Sequence, residues 1–224
     1  MVKKVLMITC IIIIIMSVLI AFNTSASFIQ LPPLDELKKI NPPISYISTE
    51  KDYRSLEYYY KYDIQNLNDL INYSNVVLEV KPLDDGVPVA LSILRKSKVL
   101  KVLKGNYAKE LVYIYEPSYF IHTRSYMCIQ GYISMKKDKT YILFLQKIKI
   151  PENLKRSSLK DGYFLTNASF GKFKLGEKAV LSNFNDNKKI FFNDVYELPV
   201  LFKFQKDVDL YNKLLNELET QYDI

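Results

Sequence analysis

The stretch KVLKVLKGN, residues 98–106, decides the fold that the sequence predicts. Its three lysines are spaced three apart, so a helix would place them on one narrow stripe. However, the stretch is rich in β-branched valine, and the odd positions from Val87 to Leu103 form the more apolar of two alternating rows. We therefore predict one long strand that ends at a turn, Gly105-Asn106. The alternation slips between Arg95 and Lys101, which predicts a bend or a bulge there.

Other strands and turns surround this stretch. In SNVVLEVK, residues 74–81, apolar and mixed positions alternate as in a strand with one buried face. Asp63 can cap a short helix before it, over residues 64–71. Further strands are predicted at residues 111–115, 141–150, 162–166 and 170–175. Several short strands separated by turns predict a small closed or nearly closed barrel.

The C-terminal segment has a helical period instead. One face of the predicted helix carries Val208, Tyr211, Leu214, Leu215, Leu218 and Tyr222. Because this face is apolar, the helix is expected to plug or cover the barrel. The composition, with 18 Tyr, 12 Phe and no Trp, also favours strands. The predicted fold class is therefore mainly β, of the α+β kind.

These segments together resemble a group of exported proteins of unknown function from Gram-positive bacteria. The resemblance lies in DLINYSNVVLEV (69–80), KVLKVLKGN, ELVYIYEP (110–117), GYISMKKDKTYILFLQK (131–147) and YFLTNASFGKFKL (163–175). It implies an OB-like β-barrel, distantly similar in shape to netrin modules and metalloproteinase inhibitors. The zinc-chelating N-terminal cysteine of those inhibitors has no counterpart, because cleavage after Ala26 would leave Ser27 first.

The first 26 residues are predicted to be a targeting segment. Lys3 and Lys4 precede an uncharged, largely apolar run of 18 residues from Val5 to Phe22. This length lies between a signal-peptide core and a full membrane span, so a cleaved signal peptide and a retained anchor both stay open. The two lysines keep the N-terminus cytoplasmic, which places the rest outside. We thus expect an extracellular protein, or one on the outer face of the cytoplasmic membrane.

Four regions follow from these patterns. We assign residues 1–26 to the signal peptide or anchor, 27–62 to a tether, 63–178 to the barrel domain and 179–224 to a C-terminal extension with the amphipathic helix. The two Pro-Pro pairs at 32–33 and 42–43 interrupt any long helix within the tether.

Few residues in the chain point to catalysis. Cys128 or Ser125 with His122, the sole histidine, are the candidates for nucleophilic chemistry, but all three lie in one short stretch, FIHTRSYMC (120–128). We expect that stretch to be an exposed loop, with Cys128 half-buried. Asp84 and Asp85 are neighbours in a turn and cannot face each other across a cleft. We predict no enzyme activity, no catalytic, cofactor or metal residues and no cofactor.

The charge suggests a class of partner. The formal net charge is +7, and the segment 86–109 carries six cations and no acid. For an exported protein this favours an anionic envelope polymer or lipid over nucleic acid, although a solvated strand edge is the simpler explanation of the lysines. The expected function is a non-catalytic binding or interaction module of the cell envelope, whose binding residues are unknown. The alternatives are a secreted inhibitor or immunity-like protein acting on a protein partner and, more distantly, a hydrolase.

Overall fold

The computed structural model describes residues 2–26, 34–47, 60–61, 63–89, 91–121, 124–148, 162–182 and 189–223. The chain divides into two compact units, Met1–Leu31 and Pro32–Ile224. The first unit contains one helix, α1, over Val2–Ala26. None of the helices, over the residues described, combines the length and apolar character that a membrane crossing requires.

The second unit contains the remaining helices and all the strands that the structure describes. In chain order these are α2 (Leu34–Ile40), β1 (Ile44–Ile47), α3 (Leu67–Tyr73), β2 (Val76–Pro82), β3 (Val87–Val89), β4 (Ser92–Lys104), β5 (Leu111–Glu116), β6 (Ser118–Ile121), β7 (Ser125–Ile129), β8 (Tyr141–Lys147), β9 (Tyr163–Leu165), β10 (Lys172–Lys174), α4 (Phe192–Val195) and α5 (Gln205–Tyr222).

Five strands close into a barrel, in the order β2, β4, β5, β9 and β8, with β8 pairing back to β2. The β5–β9 pair is parallel, and the other four pairs are antiparallel. Strand β10 pairs with β8 at Tyr141–Leu143, beside the β9 pairing at Leu145–Lys147. The structure therefore confirms a mainly β chain with a small closed barrel and a C-terminal helix.

Two apolar clusters lie on opposite faces of β2 and β8. One fills the barrel and contains Val76, Leu78, Val80, Val112, Ile114, Leu143, Leu145 and Leu165. The other lies outside the barrel and contains Val77, Ile142, Phe144 and Phe173, packed against α3 and α5. Strand β8 is buried on both faces over its first five residues. In β2 the predicted face is buried, and on the other face only Val77 is buried while Glu79 and Lys81 are half-buried, so the expectation of one buried face holds except at Val77. Helix α5 accordingly covers the barrel wall and does not plug an end.

The apolar face of α5 is the one that the sequence predicts. Val208, Tyr211, Leu214, Leu215 and Leu218 are all buried. Helix α3 begins later than predicted, because Asn66 and not Asp63 caps it. The Asn66 side chain accepts from the Asp69 N–H, and the Asp69 carboxylate accepts from the Asn66 N–H. The Asp63 carboxylate instead accepts a hydrogen bond from the Tyr73 hydroxyl.

The predicted long strand is divided in two. A tight connection around Leu91, whose side chain is 67% exposed, separates β3 from β4 and folds them into a hairpin. Within β4 the register against β2 shifts twice, once between Lys104 and Val102 and once between Lys101 and Val99. The predicted irregularity is therefore confirmed, and it extends three residues further toward the end of the strand, to Lys104.

A smaller sheet lies beside the barrel, in the order β1, β7, β6. Strand β1 runs parallel to β7, and the Ile44 N–H donates to the Ile190 carbonyl. Leu37 of α2 is 2% exposed. Helix α2 and strand β1 fall within the range 27–62 that the sequence assigns to a tether, yet residues 34–47 belong to the second compact unit.

Candidate functional site

The cations of segment 86–109 have different environments. Lys98 and Lys101 are exposed on the last half of β4. Between and beside them, Leu100 and Val102 have 46% and 38% of their surfaces exposed. This end of the strand presents two cations and two aliphatic side chains to solvent, and we call it the β4 basic end (Lys98–Val102).

Lys104, the last lysine of the predicted stripe, has a structural role. Its ammonium group donates hydrogen bonds to the backbone oxygens of Ile71 and, at 2.9 Å, Ser74. These carbonyls lie at the C-terminus of α3, where a cation is favoured by the helix dipole. The interpretation of all three lysines as the solvent-facing side of the strand is therefore wrong for Lys104.

Arg95 is buried inside the barrel rather than displayed on its surface. Its Nε lies 2.5 Å from Oε1 of Glu116, and the two side chains are 2% and 0% exposed. The Arg95 Nη1 also donates to the backbone oxygen of Asp84 at 2.6 Å. Since buried charges require partners, this ion pair explains how a cation is tolerated in the core.

The same carboxylate holds a loop that crosses this end of the barrel. Glu116 Oε2 accepts from the Tyr132 hydroxyl and the Met135 N–H, both at 2.8 Å. The neighbouring Ser134 and Lys136 N–H groups donate to the hydroxyls of Tyr126 and Tyr141, each at 2.9 Å. Three successive backbone amides are thus bound by side-chain oxygens. We call residues 132–136 the strap.

A second buried cation, Lys172, lies under the strap. Lys172 is opposite Leu143 in the β10–β8 register, so its side chain points into the barrel. Its ammonium donates to the Ile133 backbone oxygen and lies 4.4 Å from the centroid of the Tyr132 ring. Burial lowers the pKa of Lys172 to about 7; the Glu116 carboxylate opposes this shift, while Lys136, Arg95 and Lys174 reinforce it. These contacts give Lys172 a structural position with no solvent access.

Outside the strap, two lysines share one aromatic ring. The ammonium groups of Lys38 and Lys136 lie 4.4 Å and 5.1 Å from the centroid of the Tyr196 ring. Lys136 also pairs with Glu197 at 2.6 Å, and this hydrogen bond lowers the pKa of the Glu197 carboxyl. The Glu197 side chain is 77% exposed. Burial raises the pKa of Tyr196 to about 12, and the Asp85, Glu197 and Asp35 carboxylates add to this shift. The surroundings of the ring therefore carry charges of both signs.

The candidate nucleophiles of the sequence lie on strands. Ser125 and Cys128 belong to β7, which pairs antiparallel with β6 (Ser118–Ile121), so these two candidates lie in a strand and not in an exposed loop. Cys128 is fully buried, and burial raises the pKa of its thiol, which disfavours the reactive thiolate. The Ser125 hydroxyl lies 2.7 Å from that of Ser45. His122 falls outside the described residues.

An open groove of about 580 Å³ lies between α3 and α5, lined by Asn66, Leu67, Asn68, Asn216, Glu217, Thr220 and Gln221. Sequence reasoning gave no signal for this groove, because its two walls lie about 150 residues apart. Over the described residues, no group of three or more His, Cys, Asp or Glu side chains could hold a metal ion. No protein family matches the chain, and no curated protein or solved structure gives a significant match.

Proposed function

We propose that this protein is an exported binding or interaction module of the cell envelope, without catalytic activity, and that it binds an anionic envelope polymer. The observation that carries the proposal is the β4 basic end, where Lys98 and Lys101 stand in solvent beside exposed Leu100 and Val102. Cations on a rigid strand attract a polyanion at long range, and neighbouring aliphatic groups add contact area.

The closed five-strand barrel supports the OB-like assignment that the resemblance implies. Barrels of that kind serve as binding scaffolds for extended polymers, which agrees with a binding role. Of the six cations in segment 86–109, Arg95 and Lys104 are used within the fold. Four remain, Lys96, Lys98, Lys101 and Lys109, and the two in the β4 basic end, Lys98 and Lys101, are the ones on which we expect the polymer site to depend.

Export rests on the N-terminal segment. Lys3 and Lys4 before the apolar run from Val5 to Phe22 act as the cytoplasmic flank of a signal peptide or anchor. Fractionation of the native host followed by N-terminal sequencing distinguishes these forms. A mature chain beginning at Ser27 in the medium indicates cleavage, whereas an intact N-terminus in the membrane fraction indicates an anchor. A cytoplasmic chain with its N-terminus intact would refute export.

The binding proposal is tested by sedimentation with purified cell walls at low and high salt. We expect binding at low salt that is lost at high salt, because exposed charges are screened. Replacing Lys98 and Lys101 by Gln should weaken binding about fivefold for each lysine, which corresponds to roughly 1 kcal/mol.

The matched control replaces Lys178 and Lys213, two exposed lysines outside the barrel strands, by Gln. Equal loss in both double variants would show a general charge effect and no site. No binding at low salt would refute the polymer proposal. Capture of one protease or toxin in stoichiometric amount would favour the inhibitor or immunity-like alternative instead.

A further inference from the structure

The strap differs from the rest of the barrel in how it is attached. Residues 132–136 belong to no strand, and the five strands of the barrel close without them. Side chains of β5, β7, β8 and β10 bind the strap backbone instead, at the N–H groups of Ser134, Met135 and Lys136 and at the Ile133 carbonyl. The strap can therefore detach without breaking a hydrogen bond of the barrel ladders.

The charges beneath the strap are unequal in number. Lys172, Arg95 and Glu116 are 3%, 1% and 0% exposed. Glu116 binds Arg95 through Oε1, and its Oε2 accepts two hydrogen bonds from the strap. Lys172 donates to the neutral Ile133 carbonyl and faces the Tyr132 ring, so it has no carboxylate partner of its own. A protonated Lys172 is therefore a second buried cation beside one carboxylate, which is a costly arrangement.

The other ionisable groups around Lys172 do not compensate its charge. Two further cations face it, Lys136 and Lys174, and each is already paired with a carboxylate, Glu197 and Glu177 respectively. Burial raises the pKa of the neighbouring phenols and of one thiol, so these groups stay neutral: Tyr126, Tyr132, Tyr141, Tyr211 and Cys128. Protonation of Lys172 near neutral pH therefore adds an unbalanced charge under the strap.

The outer side of the strap is attached at its two ends. At the start, Tyr132 pairs with Val200 in an isolated bridge. At the end, Lys136 pairs with Glu197, whose side chain is 77% exposed and free to follow a movement. The hydrogen bond from Lys136 lowers the pKa of the Glu197 carboxyl, so this pair does not change near neutral pH. Residues 133–136 thus depend mainly on the contacts beneath them.

We propose that the strap is a pH-sensitive lid, whose residues 133–136 detach from the barrel as the pH falls, because detachment admits water to a protonated Lys172. Burial lowers the pKa of Lys172 to about 7, and hydration restores an ordinary value of about 10.4. The detached form therefore binds the additional proton, and its population rises as the pH falls until Lys172 is charged in both forms. This local event is distinct from global unfolding and does not depend on the polymer site.

Hydrogen exchange of the full-length chain tests the proposal. The amides of Ser134, Met135 and Lys136 report on detachment once the intrinsic exchange rate at each pH is divided out. Between pH 8 and pH 6 the equilibrium constant for detachment should rise about tenfold, with most of the rise above pH 7. The amides of the β4–β5 ladder report on global unfolding. Added urea separates the two events, because detachment exposes little surface and should hardly respond to it.

Two variants remove the titrating group. Lys172→Met cannot carry a charge, and Lys172→Gln cannot either but keeps an N–H donor for the Ile133 carbonyl. In both variants the constant for detachment should be the same at pH 8 and at pH 6. The matched control is Lys137→Met, at an exposed position next to the strap, which should retain the change seen in the wild type.

Three results would overturn the proposal. The first is a constant for detachment that does not change between pH 8 and pH 6 in the wild type. The second is strap amides that match the β4–β5 ladder in protection and in urea dependence at pH 6, since the strap would then leave only when the whole barrel unfolds. The third is a change with pH that persists in Lys172→Met and Lys172→Gln, which would assign it to another group. The first two need only the wild type, so they decide the matter even if neither variant folds.

Discussion

Lys172 should make the stability of the barrel depend on pH. Its ammonium is enclosed by the strap and by β10, and burial lowers its pKa from 10.5 to about 7. In the unfolded chain the group regains an ordinary pKa of about 10.4. Between these values the unfolded chain binds the additional proton, so the free energy of unfolding rises with pH. The penalty of burying the charge is complete below pH 7 and disappears as the pH approaches 10.4.

The size of this change in the free energy of unfolding follows from the two pKa values. The full difference corresponds to about 5 kcal/mol, and the limiting slope is about 1.4 kcal/mol per pH unit. From pH 7 to pH 8.5 the gain should be about 2 kcal/mol. The window ends there because burial raises the pKa of the Cys128 thiol, so its ionisation in the unfolded chain opposes the gain at higher pH.

The assay is urea unfolding of the wild type and of Lys172→Met at several pH values in this window. The unfolding free energy of the variant should no longer rise with pH. The difference in unfolding free energy between the variant and the wild type at a single pH is less informative, because Met removes a buried charge but leaves the Ile133 carbonyl without its donor. Lys137→Met, at an exposed position, should keep the wild-type slope. A flat wild-type profile, or an equal slope in Lys172→Met, would refute this account of Lys172.

Four other substitutions test the packing by urea unfolding near neutral pH. Gly131→Ala should cost at least about 3 kcal/mol, because φ is +76° and the added methyl would overlap the Leu201 carbonyl. Gly176→Ala, at a similar φ but with open space around it, should cost about 1 kcal/mol. Similar costs at both sites would contradict the steric reason. Glu116→Gln should cost about 3–5 kcal/mol, since it leaves a buried guanidinium without its counter-charge, and a loss below 1 kcal/mol would show that the pair is dispensable. Leu218→Ala, a fully buried position on α5, should cost about 2–5 kcal/mol, and a negligible change would mean that the helix does not cover the barrel wall.

Local sequence patterns predicted the elements whose environment is uniform along their length. The buried face of α5 could be predicted, because Val208, Tyr211 and Leu215 recur at the helical period and pack against one surface. That β4 is a strand could be predicted, because β-branched residues alternate there. The turn between β3 and β4 could not be predicted, since no glycine or proline marks it at Leu91.

The interior of the barrel could not be read from the sequence. Arg95 belongs to a run of cations and has the pattern of a surface residue, and its partner Glu116 lies 21 positions away. Lys172 in FGKFKL likewise alternates with phenylalanine, as an exposed residue of a strand would. Only the closure of the barrel brings these charges and the strap together.

The closing seam of the barrel has a consequence for folding kinetics. Strands β5 and β9 join through two register pairs, Ile114 with Tyr163 and Tyr115 with Phe164. The β4–β5 ladder, by contrast, joins neighbouring strands over six pairs. Because closing a long loop costs chain entropy before any contact offsets it, the nucleus should form around β4 and β5, and the seam should close after the rate-limiting barrier. Substitutions at Tyr163 should therefore accelerate unfolding and leave the folding rate nearly unchanged.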